Sequence, residues 1–361
     1  MTSESSQASR FSYSRRNFLK TSLLAAGGTL AFGCVNQGGK ELIEILHLPS
    51  QFSKRAGDLT ANIVGQYNRD IEQIRYQVNG KPWTTFLPKG SRVPEPFFTL
   101  EVNAADLQTG NNSLTIETTP KRGEAATQSL PFEYQPAAIA LPTRTDWQNS
   151  NSTQLDVQDG YWETFQHNDE WRVRPTLGYE DYDRILNVTG AFAGGRRVET
   201  DLTFRSHIEG ERYGFGLLPM WGGHPDEAGV SPRRGWTFGI AWFYSTYNGI
   251  GAEFSYKVGK EDANWISSFR NFQCDRNVKY KVIAECFPVV DAAGKHLHYT
   301  QRVKWFAAKD SEPEGWLEVI DKEGAPLPEE EYAVALVAHR SQVEFGEVTV
   351  SAIETLQANK T

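Results

Sequence analysis

Two carboxylates, Glu199 and Asp201, stand two residues apart in the run VETDLTFR at 198–205. Residues at that spacing share one face of an extended strand, and paired carboxylates could act there as acid/base and nucleophile of a retaining glycosidase. The same spacing suits the solvated face of an ordinary strand. His224 with Asp226, and His296 with His298, each offer two metal ligands, yet no third and fourth ligand follows at a zinc-site spacing. Asp156 and Asp159, just ahead of Gly160, are the best candidates to bind calcium through oxygen, although Asp-Gly is also an ordinary turn. The other chemistry is aromatic. Trp221, Trp236, Tyr247 and Trp265 fall in or beside loops, where ring faces can stack on the C–H faces of sugars. His224, Asp226 and Arg233 lie close enough in sequence to bond the hydroxyls. Core packing is the competing account of these rings, and two of the four are expected at the surface.

The elements that must position these residues are strands. Val198, Thr200, Leu202 and Phe204 alternate with Glu199, Asp201, Thr203 and Arg205, which predicts a strand with one buried face. Trp236, Phe238, Ile240, Trp242 and Tyr244 alternate with small residues, which predicts a second strand with its large side chains on one face, inside a two-sheet stack. A Gly/Pro/His/Arg loop joins the two regions. Further strands are expected around Tyr280, Val282 and Ala284, around Val303 and Trp305, and around Tyr332, Val334, Leu336 and Ala338. In the closing run the apolar parity changes at Gly346, which predicts a bulge. Before residue 135, short alternating runs at 59–64, 74–78, 98–102 and 114–116 have the spacing of an all-β sandwich, with Asn79-Gly80 as a turn signal. Nine of the 10 Trp lie at or after Trp147, so the composition shifts near residue 140, where Pro136 and Pro142 mark a linker.

With 361 residues the chain has room for two cores. Its net charge is −8, and nearer −11 beyond residue 33, since the first 33 residues carry four cations against one acid. An acidic balance without a basic stripe argues against nucleic acid as a partner. Cys274 and Cys286 are expected as free, partly buried thiols, because the turn at 275–277 leaves Cys286 far down the next strand.

The segment Ser-Arg-Arg-Asn-Phe-Leu-Lys at 14–20, followed by an apolar run to residue 32, resembles a twin-arginine export signal, with Arg15 and Arg16 as its pair. The resemblance implies a bacterial or archaeal protein exported already folded. Leu-Ala-Phe-Gly-Cys at 30–34 resembles a lipobox, which implies lipidation of Cys34 and a membrane anchor. Residues 98–117 resemble the penultimate strands of bacterial immunoglobulin-like modules, with the turn at Gly110-Asn111. Residues 147–354 resemble the concanavalin A-like, laminin-G-like superfamily through the run ALVAHRSQVEFGEV at 335–348, where Gly346-Glu347 replace the commoner Asp-Asn. The block Trp221-Gly222-Gly223-His224 to Gly235-Trp236 looks like secreted bacterial members of that group. Laminarinase-like glycosidases of the fold carry Glu-x-Asp-x-x-Glu, whereas here Phe204 replaces the third carboxylate. The Gln-x-His and Tyr-Phe-Lys-Ala-Gly patterns of alginate lyases are missing too.

The expected organisation is an export signal at 1–33, a tether at 34–40, an immunoglobulin-like sandwich at 41–135, a linker at 136–146, a concanavalin A-like jelly roll at 147–355 and a tail at 356–361. The expected function is an exported, envelope-anchored protein that binds a polysaccharide or other glycan through loop aromatics. Its other expected partners are the twin-arginine export machinery and, through the lipid alone, the membrane. The alternatives are a glycoside hydrolase or polysaccharide lyase on the same fold, and a structural envelope protein that contacts another protein.

Overall fold

The computed structural model describes residues 42–57, 59–68, 70–86, 95–176, 183–225, 232–258, 261–321, 331–354 and 356–357, with side chains excepted at 256–258, 261–265 and 356–357. The expected export signal, Cys34 and the tether lie outside the described residues. Among the described residues the fold is all-β, with three single turns of 3₁₀-helix and no α-helix. Residues 40–361 form one compact unit built from two sandwiches.

The first sandwich contains β1 (Ile43–His47), β2 (Gln51–Ser53), β3 (Ala61–Tyr67), β4 (Ile71–Val78), β5 (Thr84–Phe86), β6 (Phe97–Val102), β7 (Gly110–Pro120) and β8 (Ala126–Gln135). Sheet order is β1-β3-β6 on one side and β2-β8-β7-β4-β5 on the other. Phe52, Ile63, Ile74, Phe98, Leu114 and Ile116 fill the space between. Burying each such side chain contributes about 1.5–3 kcal/mol, so no disulfide is needed there. Asn79 and Gly80 both take left-handed backbone (φ +53° and +73°), which the turn after β4 requires.

The second sandwich contains β9 (Thr143–Arg144), β10 (Val157–Asp159), β11 (Trp162–His167), β12 (Glu170–Pro175), β13 (Asp183–Asn187), β14 (Gly195–His207), β15 (Gly214–Trp221), β16 (Phe238–Tyr244), β17 (Gly249–Val258), β18 (Glu261–Asn271), β19 (Lys279–Val290), β20 (His296–Ala307), β21 (Leu317–Asp321), β22 (Ala333–His339), β23 (Ser341–Phe345), β24 (Thr349–Ile353) and β25 (Leu356–Gln357). One sheet runs β10-β13-β22-β15-β16-β17-β18, the other β11-β12-β23-β14-β19-β20-β21. β9, in the expected linker, pairs with β24 at the margin of the second sheet. In β14 the alternation holds: Val198, Leu202 and Phe204 enter the core between the sheets. β23 and β24 both pair with β14, Phe345 opposite Leu202 and Thr349 opposite Glu199, so the upper chain carries one residue more than the lower. That extra residue is the bulge the parity change at Gly346 predicts. Cys274 and Cys286 are free thiols, Cys286 fully buried and Cys274 half-buried, where burial pushes its thiol up to about 12.

β16 departs from its expected alternation. Phe238 sits in the core between the sheets, whereas Ile240 and Trp242 point to the outer face with Trp236. A left-handed backbone at Phe238 (φ +82°), opposite a register shift in β15, reverses the parity at that point. Such a conformation costs on the order of 1–3 kcal/mol for a non-glycine residue. The core side of the strand is held instead by Ala241 and Phe243. β22 has both faces buried, with Val334, Leu336 and Ala338 inward and Ala333, Ala335 and Val337 outward.

Its outward face is buried because the first sandwich covers it. Ala56 and Leu59, on the segment between β2 and β3, pack with Ile185, Leu218, Trp221, Ala333 and Ala335. The Ala191 amide donates to the Lys54 carbonyl (2.8 Å), the Leu48 amide to Thr153 (2.7 Å) and Asn62 Nδ2 to the Gln158 carbonyl (2.8 Å). His47 is buried between the sandwiches, with Nδ1 bonded to the Ser152 carbonyl and Nε2 accepting from the Trp162 amide. Burial holds its pKa down at about 4, so the ring is neutral at pH 7 and suits both bonds.

Candidate functional site

The outer face of the first sheet can be read in rows across the strands. Asp183, His339, Gly214, Tyr244, Gly249 and Asn271 lie in one row, and Ile185, Val337, Gly216, Trp242, Gly251 and Phe269 in the next. Four glycines therefore alternate with the aromatic positions. A Cβ on Gly214 would lie 2.7 Å from the Trp242 ring, and one on Gly251 would lie 2.5 Å from the Phe269 ring. The missing side chains let both rings lie low across their neighbours.

On that floor the rings form a continuous platform. Tyr244 stacks on Trp242 (centroids 4.3 Å apart, 10° between planes), and Tyr247 stacks on Phe269 (4.2 Å, 28°). Tyr247 meets Tyr244 edge-on at 6.0 Å and joins the two pairs. Tyr247 is 46% exposed, Tyr244 and Phe269 are half-buried, and Trp242 is covered. Polar groups flank the platform. His339 Nδ1 and Asp183 Oδ1 are 2.7 Å apart, and the His339 ring meets the edges of Tyr244 and Trp242. Glu253 faces the same side one row further along, 3% exposed, and burial pushes its carboxyl up to about 7, with Trp242 acting in the opposite direction.

The residues singled out by sequence separate into several places. Tyr247 is on the platform, and Trp236 borders it edge-on to Trp242 (5.9 Å, 78°) but is itself buried. Trp221 is fully buried, its indole N–H donating to the Gly223 carbonyl at 3.0 Å, so it cannot stack on a ligand. His224 is also buried, with Nδ1 bonded to the Gly235 carbonyl (2.7 Å), which holds the two legs of the loop together. Arg233 is turned toward the first sandwich. Its amide donates to Glu101 Oε1 (2.9 Å) and its guanidinium pairs with the same carboxylate (3.7 Å). Asp226 and the Trp265 side chain lie outside the described residues.

Glu199 and Asp201 lie on the outer face of the opposite sheet, away from the platform. Glu199 pairs with Arg197 (2.5 Å) and Asp201 with the buried Arg172 (2.7 Å). They belong to a lattice of ion pairs that also includes Arg205–Glu344 and Arg302–Glu285. Asp156 does not present a free carboxylate for calcium, because Arg55 (2.6 Å), Asn187 (2.7 Å) and Gln158 (2.9 Å) all donate to it. Asp159 is buried at 3% exposure, and among the described residues no three His, Cys, Asp or Glu side chains cluster as a metal would require. His296 and His298 belong to no such cluster either. A separate cavity of about 250 Å³ lies under residues 143–150, against Asp156 and Asn187.

Trp242, Tyr244, Phe269 and Glu253 were missed because Trp242 and Tyr244 read as core. A signal existed. Gly-x-Gly at 214–216 and at 249–251 flanks the run WFY at 242–244, and paired glycines beside large rings mark a close approach of backbone and ring.

A scan against family models finds no match, and a search of curated proteins finds none. Among solved structures, the chain is similar to a carbohydrate-binding module, CBM66, from Bacillus subtilis, at 13% identity and a TM-score of 0.34 over 56% of this chain and 98% of that one. A Bacillus subtilis protein with a galectin-like fold matches at 11% identity and a TM-score of 0.35, over 61% and 99%. The lumenal domain of VIP36, solved with Ca²⁺ and Man3GlcNAc, matches at 11% identity and a TM-score of 0.32, over 55% and 86%. Likeness at this level assigns neither ligand nor activity, and the residues must do so.

Proposed function

We propose that this chain is an exported carbohydrate-binding protein whose second sandwich holds a glycan on Tyr244, Tyr247 and Phe269, with the buried Trp242 supporting Tyr244 from below. The observation that carries the reading is the stack of partly exposed rings over a glycine floor, flanked by polar groups. Partly exposed rings held in place by stacking offer π faces to the C–H faces of sugars at little conformational cost. The second sandwich is a concanavalin A-like jelly roll in this reading. The first is immunoglobulin-like, supported by its short strand β2, which leaves the sheet of β1 and pairs in parallel with β8. Probing a glycan array with the purified protein tests the function directly. Saturable binding to at least one glycan class is expected, and a blank array would remove the reading.

Export through the twin-arginine route and lipidation of Cys34 belong to the same proposal, supported by the motif at 14–20 and by Gly33-Cys34. Replacing both Arg15 and Arg16 by Lys is expected to leave most of the protein in the cytoplasm, as read by cell fractionation. Undiminished export of that variant would discard the route.

A further inference from the structure

We infer that the platform selects an uncharged, hydroxyl-rich sugar, read by the phenol hydroxyls of Tyr244 and Tyr247 and by the amide of Asn271. This specificity rests on the carbohydrate-binding reading above and gives it a substrate class.

Across β13, β22, β15, β16, β17 and β18 the described outward side chains include Asp183, His339 and Glu253 but no Lys or Arg. The two described arginines on these strands have the opposite parity. Arg184 stands opposite Ala338 and Arg270 opposite Ile250, and both partners are in the core between the sheets. Just past β22, Arg340 pairs with Glu211 (3.1 Å), and Arg233 pairs with Glu101. A carboxylate or sulfate on a ligand would therefore meet no cation from these strands, and it would enter the field of a chain whose net charge is −8. An ammonium group finds no partner there either. Asp183 is 4% exposed and bonded to His339, and Glu253 is 3% exposed, so neither carboxyl is presented to a ligand on the rings. A sugar without charge is what the face leaves.

Neutral groups stand beside the exposed rings. Tyr247 is exposed and Tyr244 half-buried, and neither phenol hydroxyl bonds a described residue. Other tyrosine hydroxyls in the chain are used internally. Tyr76 Oη donates to the Glu101 carbonyl (2.9 Å), and Tyr280 Oη accepts from the Asp275 amide (2.8 Å). Asn271 is exposed on the outer face of β18, two residues from Phe269 and opposite Gly249. Its side-chain amide also has no partner among the described residues. A phenol hydroxyl and a carboxamide each donate and accept, as a sugar hydroxyl does, so these groups can pair with hydroxyls at the edge of a stacked sugar.

A glycan array probed with the full-length protein in about 0.5 M salt tests the charge, because salt at that level screens long-range repulsion. The strongest signals are expected from neutral oligosaccharides, with sulfated, uronate-containing and amino forms of the same backbones at least about tenfold weaker. Charged forms that bind as tightly as their neutral parents would overturn the inference and leave glycan binding intact. The strongest neutral glycan is then titrated into Tyr244→Phe, Tyr247→Phe and Asn271→Ala. The first two keep the rings and remove only the hydroxyls. Each variant is expected to bind about fivefold more weakly, as loss of one hydrogen bond predicts, with an unchanged unfolding midpoint. Wild-type affinity in all three would overturn the assignment of the reading groups and leave stacking alone. Absence of any array signal would remove the carbohydrate reading and this inference with it.

Discussion

Trp221→Ala is expected to destabilise the protein by about 3–5 kcal/mol, the range for emptying a large buried aromatic site. The residue is fully buried at the end of β15 and belongs to the cluster that joins Ala56 and Leu59 of the first sandwich to the sheet of the second. Its removal opens a cavity at the junction and takes away one hydrogen bond to the Gly223 carbonyl, which keeps those from the Thr237 amide and hydroxyl. Chemical denaturation of wild type and variant measures the loss directly. A variant as stable as wild type would mean that the junction contributes little to the fold. The residue's position in a loop-like stretch of sequence led instead to the expectation of a ligand contact.

Glu253→Gln is expected to change how stability depends on pH. In the folded protein the carboxyl ionises at about 7, against an ordinary 4.5 in the unfolded chain. Between those values the unfolded chain has released its proton and the folded protein has not, so stability falls as pH rises through this window and the loss is complete above 7. A shift of that size corresponds to about 3 kcal/mol. Gln cannot ionise, so the variant should match wild type near pH 4 and exceed it by up to about 3 kcal/mol at pH 8. His47 works with the opposite sign. Its folded pKa of about 4 lies below the ordinary 6.5, so its contribution is present above 6.5 and lost as pH falls toward 4. The difference between wild type and Glu253→Gln isolates the glutamate, because His47 is common to both. Equal pH profiles for the two proteins would contradict the buried carboxyl.

The strands were legible because their periods are clean. Val198 to Phe204 and the apolar run of β22 lie where the pattern puts them, and the bulge at Gly346 could be read from its parity. β16 was legible as a strand but not in its facing. Period alone cannot see the left-handed backbone at Phe238 that exchanges its two sides. Nor can it say that a sheet's outer face is covered by another sandwich, which is why Trp221 and Arg233 read as loop ligands when they serve the junction, and His224 when it ties its own loop together. The platform itself is assembled by register across β15, β16, β17 and β18, and no single run of residues contains it. Tyr247 was found because a large exposed ring in a turn stands out locally.

The most direct measurement of the central claim is calorimetric titration of the glycan that gives the strongest array signal into wild type, Tyr247→Ala and Tyr247→Ala/Phe269→Ala. Tyr247 is exposed enough that its removal should leave the unfolding midpoint unchanged. Loss of a stacking ring at the centre of a contact costs about 1–2 kcal/mol, so the single variant should bind about tenfold more weakly and the double variant more weakly still. Glu199→Gln, on the opposite sheet, should bind as wild type does. Undiminished affinity in the folded double variant, or a loss confined to Glu199→Gln, would contradict the platform as the binding site.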